Sequence, residues 1–156
     1  MRVIELTQGK FTKVDDNDFD YLCMWKWHAR KDRHGKFRAA TKVGSKGVEI
    51  SRIIMKPKQN EHVDHRNSDT LDNTRDNLRT CTNAENIRNS KPILMYGGKK
   101  CSSKYKGVSR HQKKWRSIIT LDGKRINLGC FINEEYASII YNAAAKKYFG
   151  EFAYKQ

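Results

Sequence analysis

The densest concentration of groups able to bind a metal or move a proton sits in the middle of the chain. It runs His62-Val63-Asp64-His65, then a polar loop to Asn73, then Asp76-Asn77-Leu78-Arg79 and Asn83-Ala84-Glu85-Asn86. Hydrolysis of a phosphodiester needs a deprotonated water, an electrophile for the charge growing on the phosphoryl oxygens, and relief for the departing sugar oxygen. A histidine and a hard divalent cation together supply all three.

Such groups act only when rigid elements hold them. Arg2 to Leu6, Lys10 to Val14, Trp25 to Arg30 and Lys36 to Thr41 read as short strands, the last two joined by an Arg33-His34-Gly35 turn, in one small antiparallel sheet. Asp15 to Leu22 opens with carboxylates that suit a helix N-terminus. Trp25 and Trp27 alternate with Lys26 and are expected to share a core-facing sheet side. Val48 to Met55 leads through a helical turn to Pro57, which ends regular structure. Lys91 to Ser103, with Pro92, Gly97-Gly98 and Ser102-Ser103, has linker composition.

Lys106 to Arg110, Trp115 to Leu121 and Lys124 to Phe131 are three further candidate strands, with Asp122-Gly123 as a tight hairpin turn. A helix follows, capped by Asn133, with Glu134 and Glu135 in its first turn, Lys146 and Lys147 in its last, and Gly150 at its stop. Ala137, Ile140, Ala144 and Tyr148 form its expected apolar stripe. The fold class expected is α+β: a small N-terminal antiparallel sheet with a ββα centre, then a three-stranded antiparallel sheet packed on one helix.

The chain of 156 residues carries 32 Lys and Arg against 17 Asp and Glu, a formal net charge of +15. Residues 1–50, 51–103 and 104–156 contribute +4, +4 and +7, so every segment is basic without long runs of like charge. A folded protein with a polyanionic partner is implied, nucleic acid first among them. Cys23, Cys81, Cys101 and Cys130 contain no CxxC pair and no zinc spacing. No secretory leader and no apolar run of about 20 residues is present, so no membrane partner is expected.

The stretch His62 to Asn89 closely resembles the HNH endonuclease motif, in the variant of phage and intron-encoded homing enzymes whose last histidine is asparagine. The resemblance implies a two-stranded ribbon and a helix around one metal, with Val63 to His65 on the first strand and Asn86 on the helix. It makes His65 the general base and Asp64 and Asn86 the metal ligands. Asn77 matches the asparagine that braces the base and its loop, and Arg79 is a candidate phosphate contact. Carboxylate and amide oxygens suit one Mg²⁺ or Mn²⁺ per site. Neighbouring strand residues point to opposite faces, which favours separate roles for Asp64 and His65. His62 reads as a neighbour of the site, Leu78 as core, and Asn83 as the alternative to Asn86 one helical turn away.

Residues Lys104 to Ala153 resemble the ethylene-response-factor and APETALA DNA-binding domain. The match lies in Tyr105-Lys106-Gly107-Val108, Trp115, Arg125-Ile126-Asn127-Leu128-Gly129-Cys130-Phe131 and the alanine-rich helix ending Phe149-Gly150. That family lays its sheet in the major groove of duplex DNA. By strand alternation Trp115, Ser117, Ile119 and Leu121 face the helix, while Arg116, Ile118, Thr120, Arg125 and Asn127 face away. With Ser109, Arg110, His111, Lys113 and Lys114 they make the candidate DNA surface. Ile118, Thr120 and Asn127 stand where that family carries other contacts, so its target is not inherited.

The organisation expected is an endonuclease domain over residues 1–90 with its motif at about 60–90, a linker over 91–103, and a DNA-binding domain over 104–156. The function expected is metal-dependent hydrolysis of duplex DNA by a monomer or weak dimer, with no small-molecule substrate, in the cytoplasm of a phage-infected bacterium. The alternative is a DNA-binding regulator that keeps an inactive HNH scaffold.

Overall fold

The structure, a computed structural model, describes residues 1–32 and 35–154, and the expected Arg33-His34-Gly35 turn includes Arg33 and His34, outside those residues. The fold is α+β with small antiparallel sheets, and the chain divides into two compact units, Met1–Asn86 and Ile87–Gln156.

In the first unit β1 (Arg2–Leu6) and β2 (Lys10–Val14) pair as a hairpin that turns Ile4, Leu6, Thr12 and Val14 inward. The next element, α1 (Asp16–Leu22), has Asp16 and Asp18 in its first turn, where the helix dipole favours negative charge. Then β3 (His28–Lys31), β4 (Phe37–Val43) and β5 (Lys46–Glu49) form a meander, and α2 (Ile50–Met55) ends at Lys56 in a left-handed conformation before Pro57. The N-terminal strands thus make two separate sheets, correcting the single sheet expected. The two-stranded ribbon β6 (His62–His65) and β7 (Leu78–Cys81) leads into α3 (Asn83–Arg88), the ββα arrangement.

The first unit's core gathers Leu6, Val14, Leu22, Trp27, Ile50 and Leu78. Trp27 is buried and donates its indole N–H to the Leu22 carbonyl at 2.8 Å, while Trp25 packs against the same core. Both tryptophans precede β3, so their core position comes from a loop and not from strand alternation.

In the second unit β8 (Met95–Tyr96) and β9 (Lys99–Lys100) form a short hairpin inside the segment that reads as linker. The sheet β10 (Val108–His111), β11 (Lys114–Leu121) and β12 (Lys124–Phe131) follows in that order, backed by α4 (Glu134–Phe149). Asp122 and Gly123 both take positive φ, as a tight Asp-Gly hairpin turn requires. The Asn133 side chain accepts from the Glu135 and Tyr136 amides at 2.7 and 3.0 Å, the expected cap.

Ile119, Tyr141, Ala145 and Phe149 form the second core, with Leu121, Ile126 and Leu128 against it. The helix stripe is therefore Ala137, Tyr141, Ala145 and Phe149. This corrects the expected stripe beyond Ala137: Ile140 and Ala144 sit at its edge and Tyr148 is exposed. Gly107 explains the rotation: its φ is +71°, and a Cβ there would lie 2.0 Å from the Tyr141 ring and 2.7 Å from the Ile118 carbonyl oxygen. Only glycine lets that ring reach the sheet. Gly107→Ala should destabilise the second unit by roughly 2–4 kcal/mol, from overpacking and a left-handed alanine. Denaturant unfolding followed by circular dichroism would measure it, and a loss under about 1 kcal/mol would refute this packing account.

Among the described residues no helix is long and apolar enough to cross a membrane. All four cysteines are free.

Candidate active site

The ribbon sets Asp64 opposite Arg79 and His65 opposite Leu78, and all four side chains are buried. Asp64 and His65 then diverge. Arg79 directs Nε and Nη2 at Asp64 Oδ2, 2.9 and 2.6 Å away. A guanidinium so placed offsets the cost of burying the carboxylate and fixes its orientation. Arg79, a candidate phosphate contact from sequence, is thus a buried partner of Asp64.

His65 faces the loop that closes the ribbon. Its Nε2 lies 3.1 Å from Asn73 Oδ1. Asn73 in turn donates from Nδ2 to Thr12 Oγ1 at 2.8 Å, and the Thr12 hydroxyl donates to the Leu71 carbonyl at 2.8 Å. Asn73 presents its oxygen to His65, an arrangement that favours the tautomer with the hydrogen on Nε2 and the lone pair on Nδ1. Burial draws the His65 pKa below its ordinary value, opposed by the Asn73 hydrogen bond, while Arg38 lowers it further and Asp64 and Glu49 raise it. The ring is therefore neutral near pH 7, the form able to accept a proton.

The loop is held as firmly as the strands. Its backbone zips onto β2 through Lys13 N to Leu71 O and Asn73 N to Lys13 O, each 2.9 Å. Arg75 reaches α1, pairing Nε and Nη2 with the two oxygens of Asp18 at 2.8 and 2.7 Å, while its amide donates to Asp15 Oδ2 at 2.8 Å. Asn77 acts inside the loop: Oδ1 accepts from the Asn67 amide at 3.0 Å and Nδ2 donates to the Asp72 carbonyl at 2.7 Å. The side chain against the imidazole is Asn73, which spacing did not single out. Its partner Thr12 lies 61 residues away in sequence, so only the fold reveals the pair.

Asn86 is half-buried on α3, and Asn83 is exposed at the start of that helix. Six residues make a weak helix, and a capping box supports it. The Glu85 carboxylate accepts from the Thr82 amide at 2.8 Å, and Thr82 Oγ1 accepts from the Glu85 amide at 3.3 Å. Within the second unit the Lys106 ammonium donates to the carbonyls of Ile87, Arg88 and Ser90 at 2.9, 2.7 and 2.7 Å. Burial pushes that ammonium down to about 8, against three carbonyl dipoles that favour its charged form. Asp64 and Asn86 supply hard oxygen donors, which fit a small divalent cation that keeps most of its water. Among the described residues no group of three or more His, Cys, Asp or Glu side chains forms a metal cage.

The second unit sorts the remaining candidates by register. Ser109, Arg116 and Cys130 align across the three strands, as do Ile118 with Asn127 and Thr120 with Arg125, and His111 pairs with Lys114. Strand alternation places these on one sheet face, opposite the buried Ser117 and Ile119. Lys113 lies in the adjoining hairpin turn. Arg110 is separated from them: it pairs with Trp115, and its guanidinium carbon lies 4.9 Å from that ring's centre.

Known proteins agree with the ββα region. Residues 56–88 match the HNH endonuclease family model, and over 148 residues the chain is 28% identical to an uncharacterized HNH endonuclease of Acanthamoeba polyphaga mimivirus, covering 94% of this chain and 74% of that protein.

Proposed function

We propose that the chain is a metal-dependent endonuclease that hydrolyses duplex DNA. The observation that carries this reading is the buried His65, whose Nε2 lies 3.1 Å from the Asn73 Oδ1 that orients the ring. Placed beside a phosphodiester, Nδ1 removes the proton of an attacking water. Asn73 and Thr12 hold the ring in that orientation, and Asn77 keeps the loop closed around it. Asp64, oriented by Arg79, and Asn86, on the capped α3, would hold one Mg²⁺ or Mn²⁺. When bound, such an ion neutralises charge on the phosphoryl oxygens and relieves the departing sugar oxygen.

Residues 104–156 serve in this reading as the duplex-binding domain of the ethylene-response-factor and APETALA kind, 1–90 as the nuclease and 91–103 as their connection. Ser109, His111, Lys113, Lys114, Arg116, Thr120, Arg125 and Asn127 face the DNA, and Arg110 supports Trp115. One site per chain cuts one strand, so a monomer nicks. A homing-type or other phage role fits an enzyme of this kind, and the mimivirus relative places a similar protein in a virus.

Incubation with supercoiled plasmid in Mg²⁺, Mn²⁺ or EDTA tests the proposal. Open-circular product with either metal and none with EDTA is expected. Plasmid binding without nicking in any metal would favour a DNA-binding regulator on an inactive scaffold.

A further inference from the structure

From Asn86 to Leu121 the sequence contains no Asp or Glu and ten Lys or Arg. Inside that stretch the segment 93–100 is exposed throughout, including Ile93, Leu94, Met95 and Tyr96, of which Leu94 is 53% and Tyr96 78% exposed. Four consecutive large apolar side chains in water need an explanation, because soluble proteins seldom leave such a patch without a partner.

The segment is not a slack tether. Gly97 and Gly98 both take positive φ in the turn between β8 and β9, and Cys101 N donates to Leu94 O at 2.8 Å, extending the ladder by one bond. Both ends are pinned within the second unit. On the entry side Ser90 is held by Lys106. On the exit side Ser102 Oγ accepts from the Arg110 amide at 2.9 Å, and the buried Ser103 donates to Glu134 at 2.7 Å. The apolar tip is thus held out from anchored ends.

The pairing decides what the tip fits. Met95 lies opposite Lys100 and Tyr96 opposite Lys99, and successive residues point to opposite faces. Each face of the ribbon therefore joins one large apolar or aromatic side chain to one ammonium. A groove lined by apolar side chains alone gives the two ammonium ions no counter-charge. A nucleic-acid duplex accepts both groups: phosphates take the ammonium ions, and an opened base step takes the wedge.

We infer that the 93–100 hairpin is a second duplex-binding element, in which Lys99 and Lys100 contact phosphates while Met95 and Tyr96 press against base edges or between base pairs. The inference rests on the reading that the chain acts on DNA. It adds a contact outside the β10–β12 sheet, with sequence-tolerant chemistry.

The test uses the full chain and a nonspecific duplex oligonucleotide, with binding followed by anisotropy across a salt series and plasmid nicking in parallel. Lys99→Ala/Lys100→Ala should reduce the slope of log affinity against log salt by about 1.8, two phosphate contacts at roughly 0.9 each. Met95→Ser/Tyr96→Ser should keep the wild-type slope and lose about tenfold or more in affinity, the scale of lost base stacking. Both variants should melt like the wild type, since the substituted side chains are exposed. Wild-type affinity and slope in both variants, with wild-type nicking, would overturn the hairpin proposal and leave the nuclease reading standing. Loss of binding in the variants of a protein that never nicks would keep the hairpin contact and sink the nuclease. A Met95→Ser/Tyr96→Ser change that spares DNA binding but abolishes flotation with anionic vesicles, or lowers the sedimentation mass, would overturn the proposal in favour of a membrane or a second copy.

Discussion

His65→Ala should lower the rate of plasmid nicking by about 10²–10⁴-fold while duplex affinity stays within about twofold of wild type. The rate range is that of removing a positioned general base. Affinity survives because the proposed phosphate and base contacts lie on the second unit's sheet and hairpin, and none of them is His65. A parallel fall in binding and nicking would show that His65 acts through folding and not as the base. Stability against pH supplies the control. The folded-state pKa of His65 is depressed, so above the unfolded value of about 6.5 the ring is neutral in both states. As pH falls below about 6.5 the unfolded chain takes up the proton first, and the wild-type first unit loses stability toward the folded pKa. His65→Ala removes that component of the slope, which thermal melts at several pH values in EDTA would register.

The largest effect on stability is expected from Arg79→Met. Arg79 and Asp64 have side chains only 6% and 8% exposed, joined by two hydrogen bonds to Oδ2. Removal of one member of such a pair leaves a buried charge without its counter-ion and costs about 3–5 kcal/mol. For a unit of this size that corresponds to a fall of at least about 12 °C in Tm. Adding Asp64→Asn should restore much of the loss, because the stranded charge disappears with it. A single variant that melts within about 3 °C of wild type would mean that the guanidinium does not balance Asp64. The same experiment separates two roles for Arg79, since a solvent-facing phosphate contact would cost almost no stability.

Much of this architecture is legible in the sequence where the signal is local. The ribbon and helix fall at 62–65, 78–81 and 83–88. The Asp122-Gly123 turn and the Asn133 cap form as their residue types require, because each depends on atoms within a few positions. The losses come from contacts that sequence separates. Periodicity along α4 offers two apolar stripes one residue apart, and the choice between them is made by Gly107, which admits the Tyr141 ring 34 positions later. Gly97-Gly98 and the lysines read as linker because strands of two residues are too short to show alternation. In the candidate site the Asp-His pair and the asparagine spacing are visible. The hydrogen-bond chain through Asn73 to Thr12 is not, since nothing near Asn73 marks it as different from Asn67, and its partner lies 61 residues away.

That chain also bears on how far the HNH-like motif can travel. The segment that matches the nuclease family, residues 56–88, contains His65, Asn73, Asn77 and Asn86 but not Thr12, Lys13, Asp15 or Asp18, which seat its loop. Cut out and grafted onto another scaffold, it would keep every residue of the signature and lose the strand and helix that set the imidazole. For the nuclease proposed above the inheritable module is then the first unit with the whole of α3, and recombination between relatives should preserve nicking only when its breakpoints fall outside residues 1–88.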